Sequence, residues 1–324
     1  MKKNIGILMG GFSSEYEISI KSAEVVYQTL KSDFNCHKIL VERKNWYLID
    51  KMHNKLKINQ SNFKVELMPE LNFDCMFNAI HGSPGEDGKI QDYFNKLKIP
   101  VTGSGARESE LTFDKIECNK FLNLNGVKVP NSVSVSSKKE YKIDEIIRLI
   151  NLPCFVKASK SGSSYGVFKA YNKNELELCI TKSLEFDEKV LIEEFIDGNE
   201  FSVGVITYNG DVIVLPITEI KTENDFFDFE AKYKGQSDEI TPADISVKLK
   251  KNLRETSMKI YKLLHLRGYS RSEFIVNKDG IFFLEVNTVP GLSEQSILPQ
   301  QAKHAKISLK NLFVNSIYES INKI

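Results

Sequence analysis

The sequence predicts an α/β protein of more than one domain, and three observations carry that prediction. The first is Asn4 to Met9, an unbroken apolar run that ends at Gly10-Gly11, as expected of a strand buried on both faces. The second is the segment just after those glycines. Ser14-x-x-Glu17 has the spacing of a capping box, and Val25, Val26 and Leu30 continue a helix. A strand, a glycine turn and a helix start make the first unit of an α/β sheet, a class that binds ligands beyond the carboxyl ends of its strands. The third is length: 324 residues exceed one small domain and suggest two or three.

The later elements come in order. Phe73 to Ile80 is a second apolar run, followed by HGSPGEDG at His81 to Gly88. Ile90, Tyr93, Phe94 and Leu97 then fall at helical spacing and form one stripe. Pro100-Val101-Thr102 leads into GSG at Gly103 to Gly105, which marks a first domain boundary, and a helix begins near Asp114. Strands at Cys154 to Ala158 and Val167 to Tyr171 flank a glycine–serine loop. The last third opens with VLIEEFIDGNEFSVGVI, Val190 to Ile206, and a strand at Asp211 to Pro216. A polar loop, FFDFEAKYKGQSDEITPA, precedes a helix over Val247 to Leu264. Arg271 to Gly291 reads as two strands joined by a turn, and a helix with Leu309, Leu312, Phe313 and Ile317 closes the chain. Connections are short and no repeat or low-complexity linker interrupts them, so the domains should pack tightly.

Composition narrows the function. With 41% hydrophobic and 27% charged residues and a net charge of +1, the chain gives no reason to expect nucleic acid or an anionic membrane as partner. The five cysteines are far apart, without a C-x-x-C pair or zinc spacing, and are expected as reduced thiols in a cytoplasmic protein. The N-terminal apolar run stops at Met9, too short for a signal-peptide core, and no later stretch reaches membrane-spanning length.

The chemistry is concentrated in RSEFIVNKDGIFFLEVNTVPG, Arg271 to Gly291. Asn277-Lys278-Asp279-Gly280 favours a three-residue loop, Lys278 to Gly280, with Gly280 left-handed. That register sets Glu273 opposite Glu285 and Arg271 opposite Asn287, all on one face. A two-residue loop on Asp279-Gly280 would instead put the glutamates on opposite faces. Like charges directly opposite repel unless neutralised, and two carboxylates with an amide oxygen are hard ligands suited to Mg²⁺. The bland alternative is a solvated face.

A magnesium site with few protein ligands usually completes its shell with phosphate oxygens. KSGSSYG, Lys160 to Gly166, offers consecutive backbone N–H groups and hydroxyls that could wrap an anion, although such loops commonly only turn a hairpin. It is not a Walker A loop. Lys157 lies on the strand entering this loop among apolar residues, where an unpaired ammonium is costly. Lys115 sits in the first turn of a helix, the end that disfavours a cation, unless Asp114 offsets it. Lys232 lies in the polar loop. Each could be an ordinary lysine; together they share a need for an anion.

These segments resemble the D-alanine–D-alanine ligase family of the ATP-grasp carboxylate–amine ligases, over nearly the whole chain. The resemblance rests on MGGFSSEYEIS, AIHGSPGEDG, VTGSG followed by FDK, FVKASKSGSSYG, VLIEEFIDGNEFSV, FDFEAKY, RSEF and LEVNTVPGLSEQSILP, in the family's order. It implies an ATP-grasp fold of α/β and α+β domains: a Rossmann-like domain over residues 1–103, a central domain with the lid loop over 104–192, and a C-terminal domain over 193–324. The implied activity is ATP-dependent ligation of two D-alanine molecules by way of an acyl phosphate, for peptidoglycan precursors. Two Mg²⁺ ions, with Mn²⁺ as a substitute, and a homodimer are implied with it.

The same resemblance implies roles. Lys115 and Lys157 would hold the ATP phosphates, with Ser163 and Ser164 in the lid. Glu193 and the backbone of Glu194, Phe195 and Ile196 would bind adenine, Glu200 the ribose, and Lys232 the γ-phosphate. Phe226 and Phe283 join the ATP-binding set. Glu273, Glu285 and Asn287 would bind the metal. Glu15 would hold the ammonium of the first D-alanine with His81 near its carboxylate, and Arg271 and the N–H of Gly291 would stabilise an oxyanion. Ser296, with Ile297 beside it, would take the second D-alanine. Glu15, Ser163 and Tyr233 would close the site. From the residues alone, Glu15 reads as a helix-start acid and His81 as a turn histidine.

Three positions depart from the family's habit: Glu273 where Asp is usual, Ile297 where Leu is common, and Ala158 after Lys157 where Pro is frequent. Alternatives on the sequence alone are a depsipeptide-forming relative using D-lactate, a different ATP-grasp ligase, and a non-catalytic binding protein.

Overall fold

The computed structural model describes residues 2–222 and 237–322. Three sheets organise the described residues. The first contains β1 (Asn4–Gly10), β2 (Asn35–Val41), β3 (Trp46–Ile49), β4 (Lys55–Asn59), β5 (Lys64–Val65) and β6 (Cys75–Asn78), in the order β5-β4-β3-β2-β1-β6. The Asn4–Met9 run is an interior strand of it, parallel to both β2 and β6, and buried as its unbroken apolar character requires. Helices α1 (Tyr16–Leu30) and α2 (Lys89–Lys96) belong to this part of the chain. Phe94, from the predicted stripe, is fully buried in a cluster of aromatic rings with Trp46 and Phe63.

The helix start at α1 differs from expectation. Ser14 and Glu17 do not cap it; the helix begins at Tyr16, with Glu15 at the N-cap and no side-chain cap bond. Ser13 takes over the local order instead. Its hydroxyl accepts from the Glu15 N–H (3.2 Å) and donates to the His81 carbonyl (3.1 Å), which ties the β1 turn to the loop after β6.

After α3 (Ala106–Phe113) and α4 (Lys115–Leu124) comes the second sheet. Its strands β7 (Ser132–Ser136), β8 (Cys154–Ala158), β9 (Val167–Ala170) and β10 (Lys189–Glu194) run in the order β7-β10-β8-β9. Helices α5 (Ile143–Ile150) and α6 (Lys173–Ser183) close its apolar face. The third sheet contains β11 (Asn199–Tyr208), β12 (Asp211–Val214), β13 (Thr218–Thr222), β14 (Ser237–Ile240), β15 (Tyr269–Asn277) and β16 (Gly280–Asn287), with α7 (Val247–Leu263) packed behind it. Finally α8 (Ile297–His304) and α9 (Leu309–Ile321) return to the first sheet, where Phe313 packs against Phe77.

The β15–β16 hairpin corrects the predicted turn while keeping its consequence. Asn277 pairs with Gly280, so the loop is the two residues Lys278 and Asp279, with Asn277 Oδ1 accepting from the Asp279 N–H (2.9 Å). From this turn the register would have put Glu273 and Glu285 on opposite faces. An irregularity between Phe274 and Glu273 leaves Leu284 as an extra residue on β16, and beyond it Glu273 pairs with Glu285 and Arg271 with Asn287. The extra residue thus lies beside the carboxylates rather than in the turn.

All five cysteines are free. Among the described residues, no helix is long and apolar enough to cross a membrane.

Candidate active site

The second and third sheets face each other across a cavity of about 510 Å³. Lys115, Lys157, Ser164, Glu193, Glu194, Phe195, Ile196, Glu200, Glu273 and Glu285 line it. Residues from α4, two sheets and a loop are thus brought together as the motifs required. Phe283 does not join them: it is fully buried on the other face of the hairpin, against Phe274. The bulged Leu284 supplies the wall at that point. Lys232, Tyr233 and Phe226 lie outside the described residues.

Neither Lys157 nor Lys115 is unpaired. Lys157 Nζ lies 2.5 Å from Glu193 Oε2, and Asn119 Nδ2 donates to the other oxygen of that carboxylate at 2.8 Å. Burial alone would lower the Lys157 pKa, but Glu193, then Glu285 and Glu273, outweigh it and hold the ammonium charged. Lys115 Nζ lies 3.3 Å from Glu285 and donates to the Ser161 carbonyl (2.6 Å). The Asp114 carboxylate, next to Lys115 in sequence, bonds elsewhere. It caps α4 through the Glu117 N–H, accepts from Ser159 Oγ (2.7 Å) and faces Lys160 Nζ at 3.5 Å. Glu194 turns its carboxylate to Asn131, accepting from that residue's N–H and Nδ2, which leaves its backbone toward the cavity.

On the hairpin face, Arg271 pairs with Glu273 and donates to Ser202 Oγ (3.1 Å). Burial disfavours the guanidinium charge, but Glu273, Glu285 and Glu239 raise its pKa. The opposed carboxylates are therefore not a solvated face, since Glu273 is only 4% exposed. Their repulsion is already met, by Arg271 at Glu273 and by Lys115 at Glu285. The donor set still fits a hard divalent ion: two carboxylates and the Asn287 amide share one face at a polar cavity.

A second cluster lies where the β1 turn meets the glycine–serine loop. Ser163 donates to the buried Glu15 carboxylate, which holds the loop over the turn. Ser163 and Ser164 both take left-handed backbone (φ 48° and 60°), a conformation L-residues adopt sparingly outside functional turns. Gly162 is needed here, because a Cβ would sit 2.5 Å from Glu15 Oε2. His81 is buried, with Nδ1 donating to the Val289 carbonyl (2.9 Å) and Nε2 accepting from Ser22 Oγ (2.8 Å). Burial lowers its pKa to about 4, so the ring is neutral. The loop after β16 places Gly291 close to Ser296, the N-cap of α8; a Cβ at Gly291 would lie 2.6 Å from Ser296 Oγ.

Sequence reasoning missed two contributors. Glu86, in the same HGSPGEDG segment as His81, is buried and accepts from the Gly82 N–H (2.9 Å). Burial first, then the nearby Glu15 carboxylate, push its pKa up. An acid between glycines in a motif that already held His81 was the available signal. Asn119 had no such signal, since only the fold brings it to Glu193.

Comparison with known proteins decides the family. Residues 4–104 match the model of the D-ala D-ala ligase N-terminus, and residues 121–318 match that of the D-ala D-ala ligase C-terminus. The chain belongs to the D-alanine–D-alanine ligase family. It is 46% identical to the D-alanine–D-alanine ligase of Flavobacterium johnsoniae, over 98% of this chain and 99% of that protein. The ligase of Christiangramia forsetii is 43% identical over the full length of both. Among solved structures, the VanG D-Ala:D-Ser ligase from Enterococcus faecalis superposes with a TM-score of 0.85 at 30% identity, covering 98% of this chain and 99% of the other. The D-alanine–D-alanine ligase from Bacillus anthracis complexed with ATP superposes with a TM-score of 0.80 at 26% identity, covering 99% and 98%. The ATP-grasp fold is therefore that of the chain, as the motifs implied.

Proposed function

We propose that the chain, an ATP-dependent ligase of the D-alanine–D-alanine ligase family, makes D-alanyl-D-alanine for peptidoglycan precursors through an acyl phosphate formed in the cavity between the second and third sheets. The observation that carries this is the meeting of two largely buried lysines, each paired with a glutamate, with the Arg271–Glu273–Glu285 face at one cavity.

A carboxylate and an amine do not condense in water, so the carboxylate must first be activated. A carboxylate oxygen of the first D-alanine attacks the γ-phosphorus of ATP and ADP departs. This step needs mainly positioning and charge neutralisation. Lys115 and Lys157 are fixed for it, held by Glu285 and Glu193 respectively at the wall of the cavity. The amine of the second D-alanine then attacks the acyl carbon. The tetrahedral oxyanion is met by Arg271 and the Gly291 N–H, and phosphate leaves with the original carboxylate oxygen. Mg²⁺, or Mn²⁺ in its place, would be held by Glu273, Glu285 and Asn287 and would supply neutralisation of the phosphate oxygens.

Glu193 and the backbone of Glu194 to Ile196 would take adenine, and Glu200 the ribose. Glu15 would receive the first ammonium beside neutral His81, and Ser296 the second carboxylate. The Ser163–Glu15 bond supports a lid that excludes water, which would otherwise hydrolyse the acyl phosphate. Lys232 and Tyr233 retain the roles implied by resemblance. A three-domain division at residues 103 and 192, a homodimer and a cytoplasmic location belong to the same proposal; the five unbridged cysteines favour the last.

The test is product analysis with purified chain, Mg-ATP and D-alanine, with D-lactate or D-serine added in parallel arms. Equal amounts of ADP, phosphate and D-alanyl-D-alanine are expected from D-alanine alone. A mixed product as the main species would overturn the second substrate. No ATP turnover in any arm would overturn the ligase reading.

A further inference from the structure

Gln301 is fully buried on α8, well inside the helix whose N-cap is Ser296. Its amide is satisfied on both sides by an interrupted sheet edge. Along one edge of β11, pairing with β13 ends at Ser202↔Thr218, and pairing with β12 begins at Val205↔Val214. Gln301 closes the gap as a peptide unit of a neighbouring strand would: Oε1 accepts from the Gly204 N–H (3.0 Å) and Nε2 donates to the Ser202 carbonyl (2.9 Å). The second Nε2 hydrogen goes to Thr218 Oγ1 (3.0 Å), which is 2.6 Å from Thr241 Oγ1. There is no slack around this amide, since a Cβ on Gly204 would lie 2.5 Å from Oε1 and 2.7 Å from Leu298 Cδ1.

The two residues that Gln301 grips are those across β11 from the hairpin face. Gly204 pairs with Arg271 and Ser202 with Glu273, and Ser202 Oγ accepts from Arg271. At the front of the same helix, Ser296 stands against Gly291 without capping α8; its hydroxyl is shared with Ser293 Oγ (2.8 Å), and the first helical N–H groups beside it can serve a carboxylate. We propose that Gln301 is a positioning residue for the second substrate, fastening the α8 N-terminus to the strand beside Arg271. It thereby sets the distance between the carboxylate anchor at Ser296 and the oxyanion donors Arg271 and Gly291. The inference rests on the proposed roles of Ser296 and Arg271. A primary amide suits this task because it offers one acceptor and two donors in a plane, and all three are used. Displacements of about 1 Å in such a frame can cost on the order of 100-fold in rate.

The experiment compares the unaltered chain with Gln301→Met and Gly204→Ala in steady-state assays, with thermal melting as a check on folding. Gln301→Met keeps the side-chain length and removes all three bonds; Gly204→Ala pushes the same amide from the strand side. At saturating ATP, D-alanine dependence is resolved into two half-saturation concentrations, one for each site. Both variants are expected to raise the second by about tenfold or more, while the KM for ATP and the first D-alanine constant stay within about twofold. A folded Gln301→Met variant with all three constants unchanged, or with all three raised alike, overturns the proposal. Should Gln301→Met not fold, Thr218→Val removes one of the three amide bonds, together with the Thr218–Thr241 contact, and carries the test, with about a threefold rise at the second site expected and no rise refuting it. Failure of the unaltered chain to form dipeptide in the same assay would count against the proposed function rather than against Gln301.

Discussion

Replacing Arg271 with Met tests the hairpin face most severely. The guanidinium is buried between Glu273, to which it is bonded, and the carboxylates of Glu285 and Glu239. Met fills much of the same volume without charge. The substitution has two effects of separable size. Glu273, buried and opposite Glu285, loses its cation, and removing one partner of such a pair costs about 3–5 kcal/mol. The oxyanion also loses one donor, worth roughly 3–4 kcal/mol of transition-state stabilisation, or about 10²–10³ in turnover. ATP binding depends on Lys115, Lys157 and the second sheet, so its KM should move by less than about fivefold. A coupled ADP-release assay gives turnover and KM; melting with and without Mg²⁺ gives the stability. Mg²⁺ should raise the melting temperature of the variant more than that of the parent, because the carboxylate pair then lacks its own cation. Turnover within tenfold of the parent in a folded variant would remove Arg271 from the mechanism. An equal response to Mg²⁺ would remove the carboxylates from the metal site.

Further consequences can be measured independently. Glu285→Gln should abolish metal-dependent turnover while far-UV circular dichroism stays that of the parent, since Glu285 is partly exposed and its loss disturbs no apolar packing. Glu193→Gln should raise the KM for ATP at least tenfold and lower the melting temperature without nucleotide, because Lys157 then lies buried without its carboxylate; added Mg-ATP should recover part of that loss. Gly291→Ala should lower turnover by at least tenfold, through the contact of its Cβ with Ser296 Oγ. His81 gives a pH signature. Its folded pKa of about 4 lies below the ordinary 6.5, so its contribution is complete above pH 6.5 and is lost as pH falls from there toward 4, by about 3 kcal/mol in all. Urea unfolding of His81→Asn should show a correspondingly shallower acid dependence than the parent.

Much of the fold and site was legible in the sequence, for physical reasons that differ by residue. The Asn4–Met9 strand was plain because a strand buried on both faces must be apolar throughout, and α2 was plain because its apolar residues keep helical spacing. The facing of Glu273 and Glu285 was reached through an incorrect turn. Turn chemistry around Asn277 allows more than one loop, and nothing in the local sequence of Leu284 announces a bulge; the two single-residue shifts gave the same register. The Ser14–Glu17 pattern suited a capping box, but Ser13 is drawn to the His81 carbonyl across the turn, a contact that exists only once β1 and β6 are paired. Partners far apart in the chain were the least visible. Lys157–Glu193–Asn119 and Gln301–Gly204 each join elements through the tertiary fold, with no periodicity to mark them.

The measurement that addresses the central claim most directly tracks oxygen. D-Alanine carrying ¹⁸O in both carboxylate positions is turned over with unlabelled Mg-ATP, and the released phosphate is analysed by mass. Activation through an acyl phosphate requires one carboxylate oxygen to leave with phosphorus, so the account predicts one ¹⁸O in each phosphate for each dipeptide formed. Unlabelled phosphate accompanying the dipeptide would contradict it, because the carboxylate would then have been joined without passing through the phosphoryl group held at Lys115 and Lys157.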